Sequence, residues 1–145
     1  KLFSPTNLDL DNSGNMYVSD TGAFNVKKYS ADGKLLASYG SHGDALGQFA
    51  RNKGIAVDRE GRVYVVDAAF EKVQIFDQNG QLLLYFPESN DPAALVLPAG
   101  IAIDYDHIEY FKTDINSSFK VDYLIFVTSQ YGNRKVSVFG FGKKE

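Results

Sequence analysis

The chain has 145 residues, with 15 Lys and Arg against 18 Asp and Glu for a formal net charge of −3, and with 11 Phe, 9 Tyr, no Trp and no Cys. The missing thiols exclude disulfides, thiolate catalysis, cysteine-attached haem and Cys-ligated metal, and an acidic balance with scattered Lys and Arg argues against nucleic acid as the main partner. The length fits one domain, and no apolar run approaches the roughly 18 residues from which a membrane span is read.

Four strand-like runs come first: Asn7–Asp11, Asn15–Asp20, Asn25–Ser30 and Lys34–Tyr39. The turns between them include Asn12-Ser13-Gly14 and Asp32-Gly33, residue types that take up tight-turn geometry at low cost. A Gly-rich connection, Gly40–Arg51, leads to a second set: Gly54–Asp58, Arg62–Asp67, Lys72–Asp77 and Gln81–Phe86. Asp11, Gly14, Tyr17, Val18, Asp20, Val26, Tyr29, Gly33 and Leu35 recur 47 positions later, without a gap, as Asp58, Gly61, Tyr64, Val65, Asp67, Val73, Phe76, Gly80 and Leu82. A fixed period in the forties, carried by strands and turns, marks an array or a propeller. Val63-Tyr64-Val65-Val66 does not alternate with polar residues, so this strand is expected to be covered on both faces, as in sheets stacked face to face.

The next connection, Phe86–Leu97, contains Asp91–Val96, which the spacing predicts as a short helix with Asp91 as cap and Pro92 in its first turn. A third copy then begins. Leu97–Asp104 matches Arg51–Asp58 at an offset of 46, and Ile125–Ser129 matches Val63–Asp67 at an offset of 62, so 16 residues are inserted between them. The insert holds two apolar-alternating runs, Ile108–Lys112 and Phe119–Phe126, around Asp114–Ser118, and reads as a lengthened or protruding hairpin. Lys135–Phe139 supplies a third strand, followed by Gly140-Phe141-Gly142 and a charged tail, with no fourth strand. The missing outer strand is expected from elsewhere in the ring.

Gly40, Gly43, Gly47-Gln48-Phe49, Gly54–Asp58, Gly61, Tyr64–Asp67 and Val73–Phe76 together resemble the NHL-repeat family. The resemblance covers nearly the whole chain and is most specific in the second copy. Three residues depart from the pattern: Asn52 stands where Pro5 and Pro98 stand in the sister copies, Asn7 replaces a Gly, and Ser129 replaces the Asp that ends the second strand. The first two are expected to weaken turn chemistry, the third to mark a distorted last blade. The resemblance implies an all-β fold, a β-propeller of four-stranded antiparallel blades, with this chain giving about three blades of a six-bladed ring. The blades are 5–40, 52–86 and 98–142, the last with insert 105–122. Three blades do not close a ring. The expected partner is therefore the missing N-terminal half of the propeller or a second copy of the chain, and a start at Lys1 without Met fits a processed or truncated beginning.

Candidate site residues follow from this frame. Asp20 and Asp67 end equivalent strands and are expected to accept backbone N–H groups of the following loop, the alternative being a polar ring at the propeller mouth. Asp11, Asp58 and Asp104 are expected to fix turns. Asp9, Asp11, Ser13 and Gly14 resemble the start of a calcium loop, but strands flank it and the second copy has Ala56 where Asp9 sits. Asp104, Asp106, His107, Glu109, Asp114 and Asp122 read as a solvated acidic hairpin rather than a metal cluster. No cofactor is expected: His42 and His107 are the only histidines, too few for the His-rich zinc site of amidating lyases that share this repeat. In propellers of this kind the loops joining second to third strands share one face with the blade-to-blade connections. Here that face carries Thr21–Asn25, Ala68–Glu71 and Gln130–Arg134, with Phe24, Phe70, Tyr131 and Arg134 as contact residues because aromatics and Arg dominate hot spots. Packing of Phe24 and Phe70 between blades is the competing expectation.

The function expected is a non-enzymatic protein-binding or scaffold module. Asp122–Gly142 resembles bacterial exported NHL proteins that accompany multihaem c-type cytochromes, which implies an extracytoplasmic location, periplasmic or extracellular, and a cytochrome partner. The enzymatic alternative is half of a lyase or hydrolase with a channel metal. RNA binding, found in animal members of the family, sits poorly with an acidic chain.

Overall fold

The computed structural model describes residues 1–88 and 90–145. Its eleven strands form three antiparallel sheets. The first contains β1 (Pro5–Leu10), β2 (Met16–Asp20), β3 (Asn25–Tyr29) and β4 (Leu35–Tyr39), hydrogen-bonded in chain order. The second repeats this with β5 (Asn52–Val57), β6 (Val63–Asp67), β7 (Lys72–Phe76) and β8 (Leu82–Phe86). The third has β9 (Pro98–Asp104), β10 (Phe119–Ser129) and β11 (Val136–Lys144) in the order β11-β10-β9, with no fourth strand among the described residues. The first strands β1, β5 and β9 lie side by side, so the sheets are arranged as blades around a common edge. There Gly54 is required by close approach: a Cβ on it would sit 2.6 Å from the Ala99 carbonyl oxygen of the next blade.

The unbroken apolar run of β6 is explained by its two neighbours. Val63 and Val65 point into a core with Tyr17, Val26, Tyr39, Phe49, Ile55 and Phe76, between blades 1 and 2. Tyr64 and Val66 point the other way, into a core with Val73, Ile75, Leu95, Tyr123, Ile125 and Val127, between blades 2 and 3. Side chains alternate across a strand, so a strand with an apolar layer on each side needs apolar residues at every position.

Two expected elements differ. Asp91–Val96 forms a single turn rather than a helix, closed by the Ala94 N–H to the Asp91 carbonyl and the Ala93 N–H to Asp91 Oδ1. Leu95 is drawn into the core between blades 2 and 3, Leu97 takes a positive φ of 46°, and the Val96 and Leu97 carbonyls accept the N–H groups of Tyr131 and Gln130. Those carbonyls are committed to the third blade instead of a helix. Ile108–Lys112 is likewise not a strand. Ile108–Phe111 is a 3₁₀ turn, with Tyr110 and Lys112 donating to the carbonyls of His107 and Glu109.

The second run of the insert is the start of β10, which pairs with β11 from Phe119↔Lys144 to Thr128↔Val136. β9 joins β10 only from Leu124 onward, so Phe119–Tyr123 and Phe141–Lys144 form a two-stranded ribbon beyond it. The connection before this ribbon does not protrude. It folds back on the outward face of blade 3, where Phe111 meets Phe126 edge-on at 5.9 Å and a cavity of about 230 Å³ lies between Phe111, Ile115, Leu124 and Val138.

Candidate partner-binding face

The loops at one end of the blades are held by buried carboxylates. Asp67, fully buried, accepts N–H groups from Ala69 and Phe70 in the β6–β7 loop and from Ala50 and Arg51 in the connection before β5. Asp20 does the equivalent for the N–H groups of Phe3 and Ser4, at 2.9 and 2.8 Å, and also takes Lys27 Nζ at 2.6 Å. Both aspartates thus tie the start of a blade to the end of its second strand, and only Asp67 binds its following loop as well. Burial raises the Asp20 carboxyl, but Lys27 and the two amides outweigh this and hold it below its ordinary 3.8. In blade 3, Ser129 Oγ retains one such bond, from the Val96 N–H at 3.2 Å, and the β9–β10 register shifts beside it.

On this frame the four candidate contact residues are spread over the three blades, with Tyr131 and Arg134 both on blade 3. Phe24 adopts a left-handed conformation (φ 53°), lies 4.4 Å from His42, and packs partly buried against the core between blades 1 and 2. Phe70 is half-buried, lining two cavities, one with Leu46 and Tyr85 and one with Pro87 and Leu95. Tyr131 is 61% exposed, with its N–H on the Val96 carbonyl. Arg134 is exposed and its guanidinium bonds the Pro92 carbonyl. Tyr131 and Arg134 are brought onto one connection, Pro92–Leu97; Phe24 and Phe70 remain on their own blades.

Asn52 is more than a departure from the repeat pattern. It is fully buried, and its Nδ2 donates to Ser19 Oγ at 2.8 Å and the Asn25 carbonyl at 3.1 Å, linking blade 2 to blade 1. A Pro at this position has no group to do so. A second feature hidden in the sequence is a groove of about 510 Å³ between β8 and β11, lined by Leu84, Phe86, Pro87, Phe139 and Phe141. It opens beside the edge of β11, where the sister blades carry a fourth strand.

At the opposite end, Asp11, Asp58 and Asp104 close turns. Asp58 Oδ1 accepts the Glu60 and Arg62 N–H groups, and its Oδ2 accepts Arg62 Nε, Tyr64 Oη and Tyr123 Oη. Burial and the neighbouring carboxylate push both tyrosine hydroxyls above their ordinary range, so they stay protonated donors. Asp9, the other acid of the calcium-like stretch, accepts the Val57 N–H across the blade interface at 2.8 Å. In the insert, Asp104 accepts the Asp106 N–H and pairs with His107 Nδ1 at 2.6 Å. Among the described residues no three His, Asp or Glu side chains converge as metal ligands would.

No family model matches the chain. It is 28% identical over 113 residues to the probable peptidyl-alpha-hydroxyglycine alpha-amidating lyase pgal-1 of Caenorhabditis elegans, covering 72% of this chain and 32% of that protein. It is 29% identical over 79 residues to human NHL repeat-containing protein 3, covering 52% of this chain and 23% of that one. Among solved structures, a chain of Kuenenia stuttgartiensis hydrazine synthase superposes with a TM-score of 0.68 at 15% identity, over 99% of this chain and 36% of that one; this likeness is one of fold. The chain thus spans about a third or less of the two curated relatives. With the repeat residues, the stacked four-stranded sheets and NHL-repeat relatives in agreement, the chain is an NHL-type β-propeller segment.

Proposed function

We propose that this segment is a non-enzymatic protein-binding or scaffold module that engages a protein through the loop end carrying Phe24, Phe70, Tyr131 and Arg134. The observation that carries the reading is the pairing of an exposed aromatic, Tyr131, with an exposed Arg134 on one connection, beside the half-buried Phe70 of the neighbouring blade. Aromatic and Arg side chains held by a rigid frame are the usual anchors of interfaces. The test is capture of interacting proteins by the chain and by a Phe70→Ala/Tyr131→Ala/Arg134→Ala variant that keeps its β-sheet circular dichroism. Capture falls at least tenfold if this end is the anchor, and equal capture by both defeats the assignment.

The finer reading places the partner outside the cytoplasm as a multihaem c-type cytochrome, supported by the resemblance of Asp122–Gly142 to exported proteins that accompany such cytochromes. Co-purification with haem absorbance supports it, and a haem-free complex counts against it.

A second reading, half of a metal-dependent lyase, is favoured by the match to the amidating lyase over 72% of this chain. Metal analysis of the intact protein separates the two: a stoichiometric divalent ion bound in the channel favours the lyase.

A further inference from the structure

Asn116 is the one asparagine of the chain with Ser or Thr two positions after it and no Pro between, in the run Asp114-Ile115-Asn116-Ser117-Ser118. That spacing is the acceptor pattern for N-linked glycosylation, which belongs on surface loops of exported proteins. The run lies in the insert, between the 3₁₀ turn Ile108–Phe111 and the start of β10 at Phe119. The turns at the same place in the sister blades lack it: Asn12 is followed two positions on by Gly14, and Asp58–Arg62 contains no Asn.

The local structure presents this side chain. Asp114, Asn116 and Ser117 are exposed, and the Phe119 N–H closes a turn on the Asn116 carbonyl at 2.9 Å. Asn116 Oδ1 accepts the Ser118 N–H at 2.9 Å and the Ser118 hydroxyl at 2.8 Å. A backbone N–H needs an acceptor, so the oxygen of the carboxamide is fixed on Ser118. Its Nδ2, which carries two hydrogens, makes no hydrogen bond among the described residues. The hydroxyl that the acceptor pattern demands therefore holds the acceptor amide directly and leaves its nitrogen free. Beside it Phe119 is 46% exposed, and with Asn116 it lines the cavity of about 230 Å³ next to Phe111. Asp114 places a carboxylate two positions before the asparagine, which some transferases of this kind also require.

We propose that Asn116 is an N-glycosylation site, modified outside the cytoplasm by an oligosaccharide from a lipid-linked pyrophosphate donor. In the transfer Asn116 Nδ2 forms a bond to C1 of the donor sugar, and the bond from C1 to the pyrophosphate oxygen breaks. That oxygen leaves with the electron pair as lipid pyrophosphate, and one Nδ2 proton is lost to a base. The C–H face of the first sugar then has the bare Phe119 ring to cover, an aromatic face that attracts such positive edges. The inference rests on the extracytoplasmic placing of the protein. It does not depend on the loop end, since Asn116 comes before β10 and Tyr131 after it.

The test is peptide mass spectrometry of the protein as produced in its own cells, with fragmentation that keeps sugars on the peptide. The peptide containing Asn116 is expected to carry an oligosaccharide in most molecules. Asn116→Gln and Ser118→Ala each abolish it, the first by removing the reacting nitrogen and the second by removing the required hydroxyl, whereas Ser118→Thr keeps it. All three variants keep the β-sheet circular dichroism of the wild type. Asp114→Ala identifies the transferase that supports the assignment: the glycan is lost with a type that requires the acid and kept with a type that reads Asn and Ser alone. Unmodified Asn116 in protein recovered from outside the cytoplasm, or sugar that persists in Asn116→Gln, overturns the proposal. Unmodified Asn116 in protein recovered from the cytoplasm overturns both the proposal and the extracytoplasmic placing, and leaves the loop-end capture assay unaffected.

Discussion

Asp20, Asp67 and Ser129 occupy one place in three blades and accept from three, four and one donor groups of side chain or backbone. A buried donor left without its acceptor costs about 1–3 kcal/mol. Asp67→Ala, which strands several amides, is therefore expected to lower unfolding free energy by about 3 kcal/mol or more, and Ser129→Ala by about 1 kcal/mol. Urea denaturation midpoints check the order, and equal losses would contradict the clamp. Asp20 adds a pH dependence. Its folded pKa lies below the ordinary 3.8, so its contribution is present above that value and is lost as pH falls through the depressed one. Stability of the wild type should fall on acidification below about pH 4, and Asp20→Asn should be less stable at neutral pH but flatter across that range. The aspartates were legible in the sequence because Asp recurs at a fixed offset, but their partners were not. Hydrogen bonds to Phe3, Ser4, Ala50 and Arg51 cross 16 or 17 positions, a separation that no local turn rule addresses. Asn52 shows the same limit: a departure from a repeat looks like weakened chemistry until the neighbouring blade's Ser19 is seen beside it.

Among the elements, the strands of blades 1 and 2 follow from periodicity and turn residues, whereas the insert does not. Ile108–Lys112 alternates like a strand, but a local pattern cannot say whether a partner edge is available. Here the middle of the insert is spent covering Phe126, Leu124 and Val138. Phe111 holds that cover. Phe111→Ala removes its ring from a half-buried contact, and the expected loss is about 1–2 kcal/mol, less than the 3–5 typical of a fully buried Phe. The sharper readout is limited proteolysis: cleavage between 105 and 118 should quicken several-fold while blades 1 and 2 stay intact. No change in cleavage would mean that the connection is held elsewhere. Tyr123 provides an independent hold on the ribbon, through its hydroxyl on Asp58 at 3.0 Å and its ring stacked on Phe141 at 4.9 Å. For that reason the ribbon should survive loss of Phe111.

For the whole molecule, each blade touches only its neighbours, so stability should be distributed as in a one-dimensional array. Blade 2 alone has a packed core on both sides, and its second strand is buried at every position from Val63 to Asp67. Blade 1 has one covered face, and blade 3 has one covered face, a partial cap and, among the described residues, an unpaired outer edge at β11. Regions with few buried contacts open at lower free energy. Hydrogen exchange of the isolated chain should therefore be slowest in β6 and β7, intermediate in β2, β3 and β10, and fastest in β1, β4 and the Val136–Lys144 edge. If β11 is as protected as β6 in the isolated chain, its edge is already paired and the stack is closed at that end by something other than the insert.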